Sequence, residues 1–121
     1  MDKDTLVERL KTIFRNKRKD GLYIDAIGLA PAYYGLIKDS YTLGVSAPSL
    51  KGKIFADKAA VIIDIMFENL TSDERGLIDR VRVFDTVDEL NEHRDRDFET
   101  WYDEDYQYDP RKKIAELHEI A

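Results

Sequence analysis

Tyr41-Thr42-Leu43-Gly44-Val45-Ser46-Ala47-Pro48, continued through Ser49-Leu50-Lys51-Gly52-Lys53 into the apolar stretch from Phe55 to Leu70, decides the fold class. Tyr41, Leu43, Val45 and Ala47 alternate with Thr42, Gly44 and Ser46, the period-2 pattern of a half-buried strand. Pro48 ends that strand, because it offers no N–H to a ladder. In the stretch that follows, Phe55, Ala59, Ile62, Ile63, Met66, Phe67 and Leu70 recur at helical spacing, and Val61 and Ile65 widen the arc. Only Asp57, Lys58, Asp64, Glu68 and Asn69 are clearly polar there, so the pattern predicts a largely buried helix packed across a sheet.

Upstream, Leu22 to Leu29 is rich in β-branched and aromatic residues and reads as a strand. Ala30 to Gly35 is a loop and Lys38-Asp39-Ser40 a turn, so the two strands are expected to pair antiparallel. Leu6, Val7, Leu10, Ile13 and Phe14 mark an amphipathic first helix, capped by Asp2 or Asp4 and stopped before Asp20-Gly21. Downstream, Thr71-Ser72-Asp73-Glu74 and Thr86-Val87-Asp88-Glu89 carry capping-box spacing and open two short helices. Val81, Val83 and Phe84, with Arg80 and Arg82 between and before them, form a third strand. Residues 95–108 fit no element and have room to hide a further strand. Asp109-Pro110 looks like an N-cap with proline at the first helical position, and Ile114, Leu117 and Ile120 predict a C-terminal helix. The expected fold is α+β: three or four mostly antiparallel strands packed against a long buried helix, with an N-terminal amphipathic helix and a C-terminal helix.

The chain has 121 residues, 43% hydrophobic and 36% charged, which suits a single domain over residues 1–121 rather than a disordered chain. A chain of this length buries about two thirds of the surface it exposes when unfolded, enough for a core. No apolar run approaches the ~20 residues that span a bilayer. The charged opening Met1-Asp2-Lys3-Asp4 lacks a signal-peptide pattern, so a cytoplasmic address is expected. Without cysteine, disulfide frameworks, Cys-ligated zinc and thiol catalysis are excluded. The formal net charge of −6 hides an asymmetry: residues 1–60 carry a net +4 and residues 61–121 a net −10. Six bases and no acid lie between Arg9 and Lys19, while eleven acids against Arg94 and Arg96 lie between Asp85 and Asp109. The basic run can touch phosphates, yet an acidic chain makes nucleic acid an unexpected partner.

Chemistry-bearing patterns are sparse. Ala47 to Ile54 places Gly52-Lys53 between a strand and a helix, as a phosphate-binding loop does. Ile54 stands where a hydroxyl residue would meet a metal, Ala47 where a glycine is usual, and the antiparallel strands expected before it do not suit a nucleotide sheet. Glu89 and His93 share a helix face at i,i+4, but a metal needs three or four converging ligands, so no metal or other cofactor is expected. Asp25 falls inside an apolar strand; it is either the polar member of an alternation or a buried acid needing a partner. With Tyr33, Tyr34 and Lys53 near strand ends and loops, it makes a possible small-molecule or catalytic site. No Ser/His/Asp arrangement is legible, and an enzyme is the weaker reading.

Phe98-Glu99-Thr100-Trp101-Tyr102-Asp103-Glu104-Asp105-Tyr106-Gln107-Tyr108 is the most distinctive segment, with five aromatics and four acids in eleven residues. Its rings either pack on the domain's own sheet or bury against a partner while the carboxylates steer a basic surface. The expected function is therefore stoichiometric protein binding (adaptor, inhibitor or immunity-type), with Phe98, Trp101, Tyr102, Asp103, Glu104, Asp105, Tyr106 and Tyr108 meeting a protein that presents a basic surface. The apolar C-terminal stripe also permits a homo-oligomer, and no membrane contact is expected.

Overall fold

Asp2 starts the first element: its Oδ1 accepts the Thr5 N–H at 2.7 Å and satisfies one of the free donors of a new helix. Helix α1 (Lys3–Lys17) buries Leu6, Val7, Leu10, Ile13 and Phe14, the five positions that its apolar spacing marks. It tightens into a 3₁₀ turn over Arg18–Asp20 and ends at Gly21, whose φ of 89° is a left-handed conformation open to glycine at little cost. This and all that follows describes residues 2–32, 39–92 and 116–120 of a computed structural model.

Strand β1 (Ala26–Pro31) begins four residues later than the apolar run predicts. The residues before it have other partners, since the Tyr23 N–H donates to Ser49 Oγ at 2.9 Å, outside any ladder. Strand β2 (Tyr41–Ser46) pairs antiparallel with β1 as expected, with Gly28 opposite Gly44 and Leu29 opposite Leu43. The Ala32 N–H to Ser40 carbonyl bond (2.8 Å) closes the connection, with Asp39 at φ 57°, a conformation that a short polar side chain tolerates. A 3₁₀ turn at Pro48–Leu50 leads to helix α2 (Phe55–Asn69), and the short α3 (Ser72–Arg75) follows. The capping box at α3 forms as its sequence implies: Thr71 Oγ1 accepts from the Glu74 N–H, and Glu74 Oε1 accepts from the Thr71 N–H. Strand β3 (Ile78–Phe84) then lies parallel to β2, so β2-α2-β3 is a crossover unit in an otherwise antiparallel sheet. The second capping sequence opens α4 (Val87–Glu92) with a small variation: Glu89 reaches back to the Asp85 N–H at 3.2 Å rather than to Thr86.

The fourth strand comes from an unexpected place. Glu116–Glu119 forms β4, antiparallel to β1, and the sheet order is β3-β2-β1-β4. The C-terminal helix expected through Leu117 and Ile120 is therefore corrected over these residues. Three-residue spacing fits a helical stripe, but in a strand it sends the two side chains to opposite faces. Each finds apolar company there, Leu117 beside Ala26, Ala30 and Leu90, and Ile120 in the main core. Arg18 fastens the end of the strand by donating from Nη2 to the Ile120 carbonyl.

One sheet face carries Ile27, Leu29, Leu43, Val45, Val81 and Val83 into the main core with α1 and α2. The other face is small-residued, with Ala26, Ala30, Thr42 and Ser46 fully buried and Leu90 of α4 packed beside them. The long helix departs from expectation. It buries Ile62, Ile65 and Met66 but leaves Ile54, Phe55, Ile63 and Phe67 68%, 50%, 38% and 65% exposed. It is half-buried, not a central buried rod. Its partner strand β3 is the sheet's edge among the described residues, so the flank of α2 beyond that edge has no described strand beneath it.

Candidate interaction surface

Along α2, residues four apart stack on one flank. Phe55, Ala59, Ile63 and Phe67 form such a row, with Ile54 at its start, one flank away from the buried Ile62, Ile65 and Met66. The edge strand beside this row supplies Arg80 and Arg82, and α3 supplies Arg75. The Arg75 guanidinium lies 4.6 Å from the Phe67 ring centroid, and its Nη1 donates to the Leu70 carbonyl at the end of α2 at 2.8 Å. The Arg82 guanidinium lies 4.7 Å from the Phe55 ring centroid. Burial, and then the like charge of Arg80, draws Arg82 below the ordinary guanidinium range, a shift that leaves it charged at neutral pH. Arg80 Nε sits 3.3 Å from Asp79 Oδ2.

Between helix and strand runs a shallow groove of about 220 Å³, floored by Met66, Ile78 and Val81 and walled by Ile63, Phe67 and Arg80. It is smaller than the ~300 Å³ of ordinary small-molecule sites and suits one or two inserted side chains. The outer side of β3 pairs with no described strand, so its backbone donors and acceptors adjoin the apolar row. Exposed large apolar side chains cost solubility and are uncommon in contiguous rows on isolated domains. Guanidinium groups stacked on aromatic rings at such a row are well placed to meet carboxylates in plane. The arrangement sets an apolar row, guanidinium groups and a strand edge side by side.

The residues singled out from sequence are distributed as follows. The segment from Phe98 to Tyr108, with Trp101, Tyr102, Asp103, Glu104, Asp105 and Tyr106, lies outside the described residues, as do His93, Tyr33 and Tyr34. Asp25 stands just before β1; its N–H donates to the Ser46 carbonyl and its carbonyl accepts from the Ile120 N–H. Its Oδ1 is buried and accepts no hydrogen bond from the described residues. Lys53 is exposed in the turn before α2, and no hydrogen bond or ion pair between the described residues joins it to Asp25. Glu89 spends its carboxylate on the Asp85 N–H, and no group of three potential metal ligands gathers among the described residues. The Gly52-Lys53 turn does lie in a parallel crossover, which removes one objection to a phosphate loop. Two others stand, because Ala47 holds the place of the usual glycine and Ile54 occupies the N-cap of α2 and brings no hydroxyl.

The basic run is partly consumed inside the fold. Arg9 Nε lies 3.1 Å from Glu74 Oε2, its Nη2 donates to the Asn69 carbonyl at 2.9 Å, and Lys17 Nζ lies 3.7 Å from Glu68 Oε2. These contacts border a polar hollow of about 380 Å³ lined by Arg9, Asn16, Lys17, Lys19 and Asn69. Glu74 is nearly buried, and its carboxyl is held below the ordinary glutamate range, first by the Thr71 N–H and then by Arg9. Among the described residues no helix is long and apolar enough to cross a membrane.

The apolar spacing places Phe55, Ile63 and Phe67 in the core, and the structure leaves them exposed. The apolar arc of α2, widened by Val61 and Ile65, is broader than one sheet face can cover. That excess width was the available signal. Comparison with protein-family models, curated proteins and solved structures finds no match to this chain.

Proposed function

We propose that this chain is a small protein-interaction domain that acts by stoichiometric binding, in the manner of an adaptor, inhibitor or immunity protein. The carrying observation is the exposed row Phe55, Ile63 and Phe67 with arginines stacked at both ends, beside the open edge of β3. In this reading an extended segment of a partner lies along the groove, places apolar side chains over Met66 and Val81, and sets carboxylates against Arg75 and Arg80. The acidic, aromatic segment from Phe98 to Tyr108 is the second proposed contact element, suited to a basic surface.

The test is an NMR titration of the labelled chain with two synthetic peptides of equal length and aromatic content, one acidic and one basic. The acidic peptide should shift resonances of Phe55, Ile63, Phe67 and the β3 amides, and the effect should weaken with salt. Equal binding of the basic peptide, or shifts confined to other elements, contradicts the assignment of this surface.

A further inference from the structure

We infer that the outer flank of α2 and the edge of β3 receive the acidic, aromatic segment Phe98–Tyr108 of a second copy of this chain, so that the domain self-associates by reciprocal exchange of that contact. The inference rests on the reading of the flank as a docking surface and names its occupant.

Two observations carry it. The first is chemical complementarity. The groove presents Ile63 and the Phe67 ring with Arg75 and Arg80 in its lining, where Asp79 is the single acid, and Arg82 stacks on the exposed Phe55 ring further along the same flank. The segment presents Trp101, Tyr102, Tyr106 and Tyr108 around the continuous triplet Asp103-Glu104-Asp105. In the segment an acidic triplet is flanked on both sides by rings, and in the groove Arg75 and Arg80 lie beside Ile63 and Phe67. A tryptophan or tyrosine matches the groove's volume of about 220 Å³ better than a small-molecule ligand does. The second observation is that Ile54, Phe55, Ile63 and Phe67 stay 38% to 68% exposed within the single chain. In the proposed dimer the segment of the second copy covers them. Because each copy carries both the groove and the segment, the contact can be made twice about a two-fold axis, which closes the assembly as a dimer.

Sedimentation velocity over a concentration series, at low and at high salt, reads the outcome. The full chain should move from monomer to dimer as concentration rises, and added salt should weaken the association. Arg75→Glu with Arg80→Glu in one variant, and Asp103→Lys with Glu104→Lys and Asp105→Lys in another, should each weaken it about tenfold or more. An equimolar mixture of the two variants restores one of the two contacts in opposite polarity, so it should form heterodimer where neither variant forms homodimer. Phe67→Ser, at a position too exposed to hold the fold, should also abolish self-association and guards against misfolding of the charge variants.

A full chain that stays monomeric at every concentration overturns the inference, as does a dimer that ignores Phe67→Ser or a mixture that fails to associate. Monomer together with binding of the synthetic acidic peptide would remove the second copy as occupant and leave the docking surface standing. Monomer without peptide binding would remove both.

Discussion

Helices α1 and α2 have equal length, fifteen residues, and pack on the same sheet face, yet they spend their apolar residues differently. Helix α1 is the more polar of the two and buries every large apolar side chain it has, with Leu6 and Phe14 fully enclosed. Helix α2 is apolar over far more of its circumference and leaves Phe55, Ile63 and Phe67 in water. Apolar content alone thus does not rank helices by burial. What decides is how much sheet lies beneath: α1 has an apolar stripe matched to its cover, whereas α2 sits at the β3 edge and overhangs it. The surplus on α2 is what a binding surface requires and a core does not.

The sharpest way to break this comparison is truncation on the two sides. Phe14→Ala should cost about 3–5 kcal/mol and Ile62→Ala about 2–5 kcal/mol in denaturant unfolding, because each leaves a cavity in the main core. Phe67→Ala should fall within about 0.5 kcal/mol of the parent, as exposed substitutions do. If Phe67→Ala cost as much as Ile62→Ala, the outer flank would belong to the core and the contrast would collapse.

A smaller effect sits where the two helices are tied together. Glu74 joins the α3 cap to Arg9 of α1, and Glu74→Ala should cost about 1–2 kcal/mol through loss of the cap and of Arg9's partner. Its sign with pH follows from the lowered carboxyl value. Protons bind more readily to the unfolded chain, so the contribution is fully present above the ordinary glutamate pKa of about 4.3 and fades as pH falls through the folded value. Acid unfolding of Glu74→Gln should lack this component, whereas an unchanged acid limb would show that Glu74 is not held as described.

The smallest effect concerns the start of α2. Lys58 Nζ lies 2.8 Å from Asp85 Oδ1, with both side chains largely covered, and pins the helix to the end of β3. Lys58→Met should cost about 1 kcal/mol or less, and the loss should shrink at high salt. A loss that did not respond to salt would assign the effect to packing of the lysine stem instead.

Much of the fold was legible from residue patterns with local physical causes. The buried stripe of α1, the Asp2 cap, the Thr71–Glu74 box and the β1–β2 pairing all depend on neighbours in sequence. The two departures depend on topology. Leu117 and Ile120 are compatible with a helix until the open side of β1 offers a ladder, and then their two faces each find a core. Phe55, Ile63 and Phe67 look like core until β3 proves to be the last of the described strands on that side. The excess apolar width of α2 signals the row, but its arginines were not legible, since they come from β3 and α3 and meet the α2 rings only through the crossover. The contrast of charge between the chain's two halves was legible, but α1 already pairs Arg9 and Lys17 with acids of α3 and α2.

The central claim, that the outer flank of α2 binds and does not build the core, is tested most directly by one doubly substituted chain, Phe55→Ser with Phe67→Ser. Its affinity for the acidic peptide should be measured by calorimetry alongside its unfolding midpoint. The account predicts a midpoint close to the parent's and a loss of binding of tenfold or more. Retained binding with an unchanged midpoint, or a collapse of stability comparable to Phe14→Ala, would contradict it.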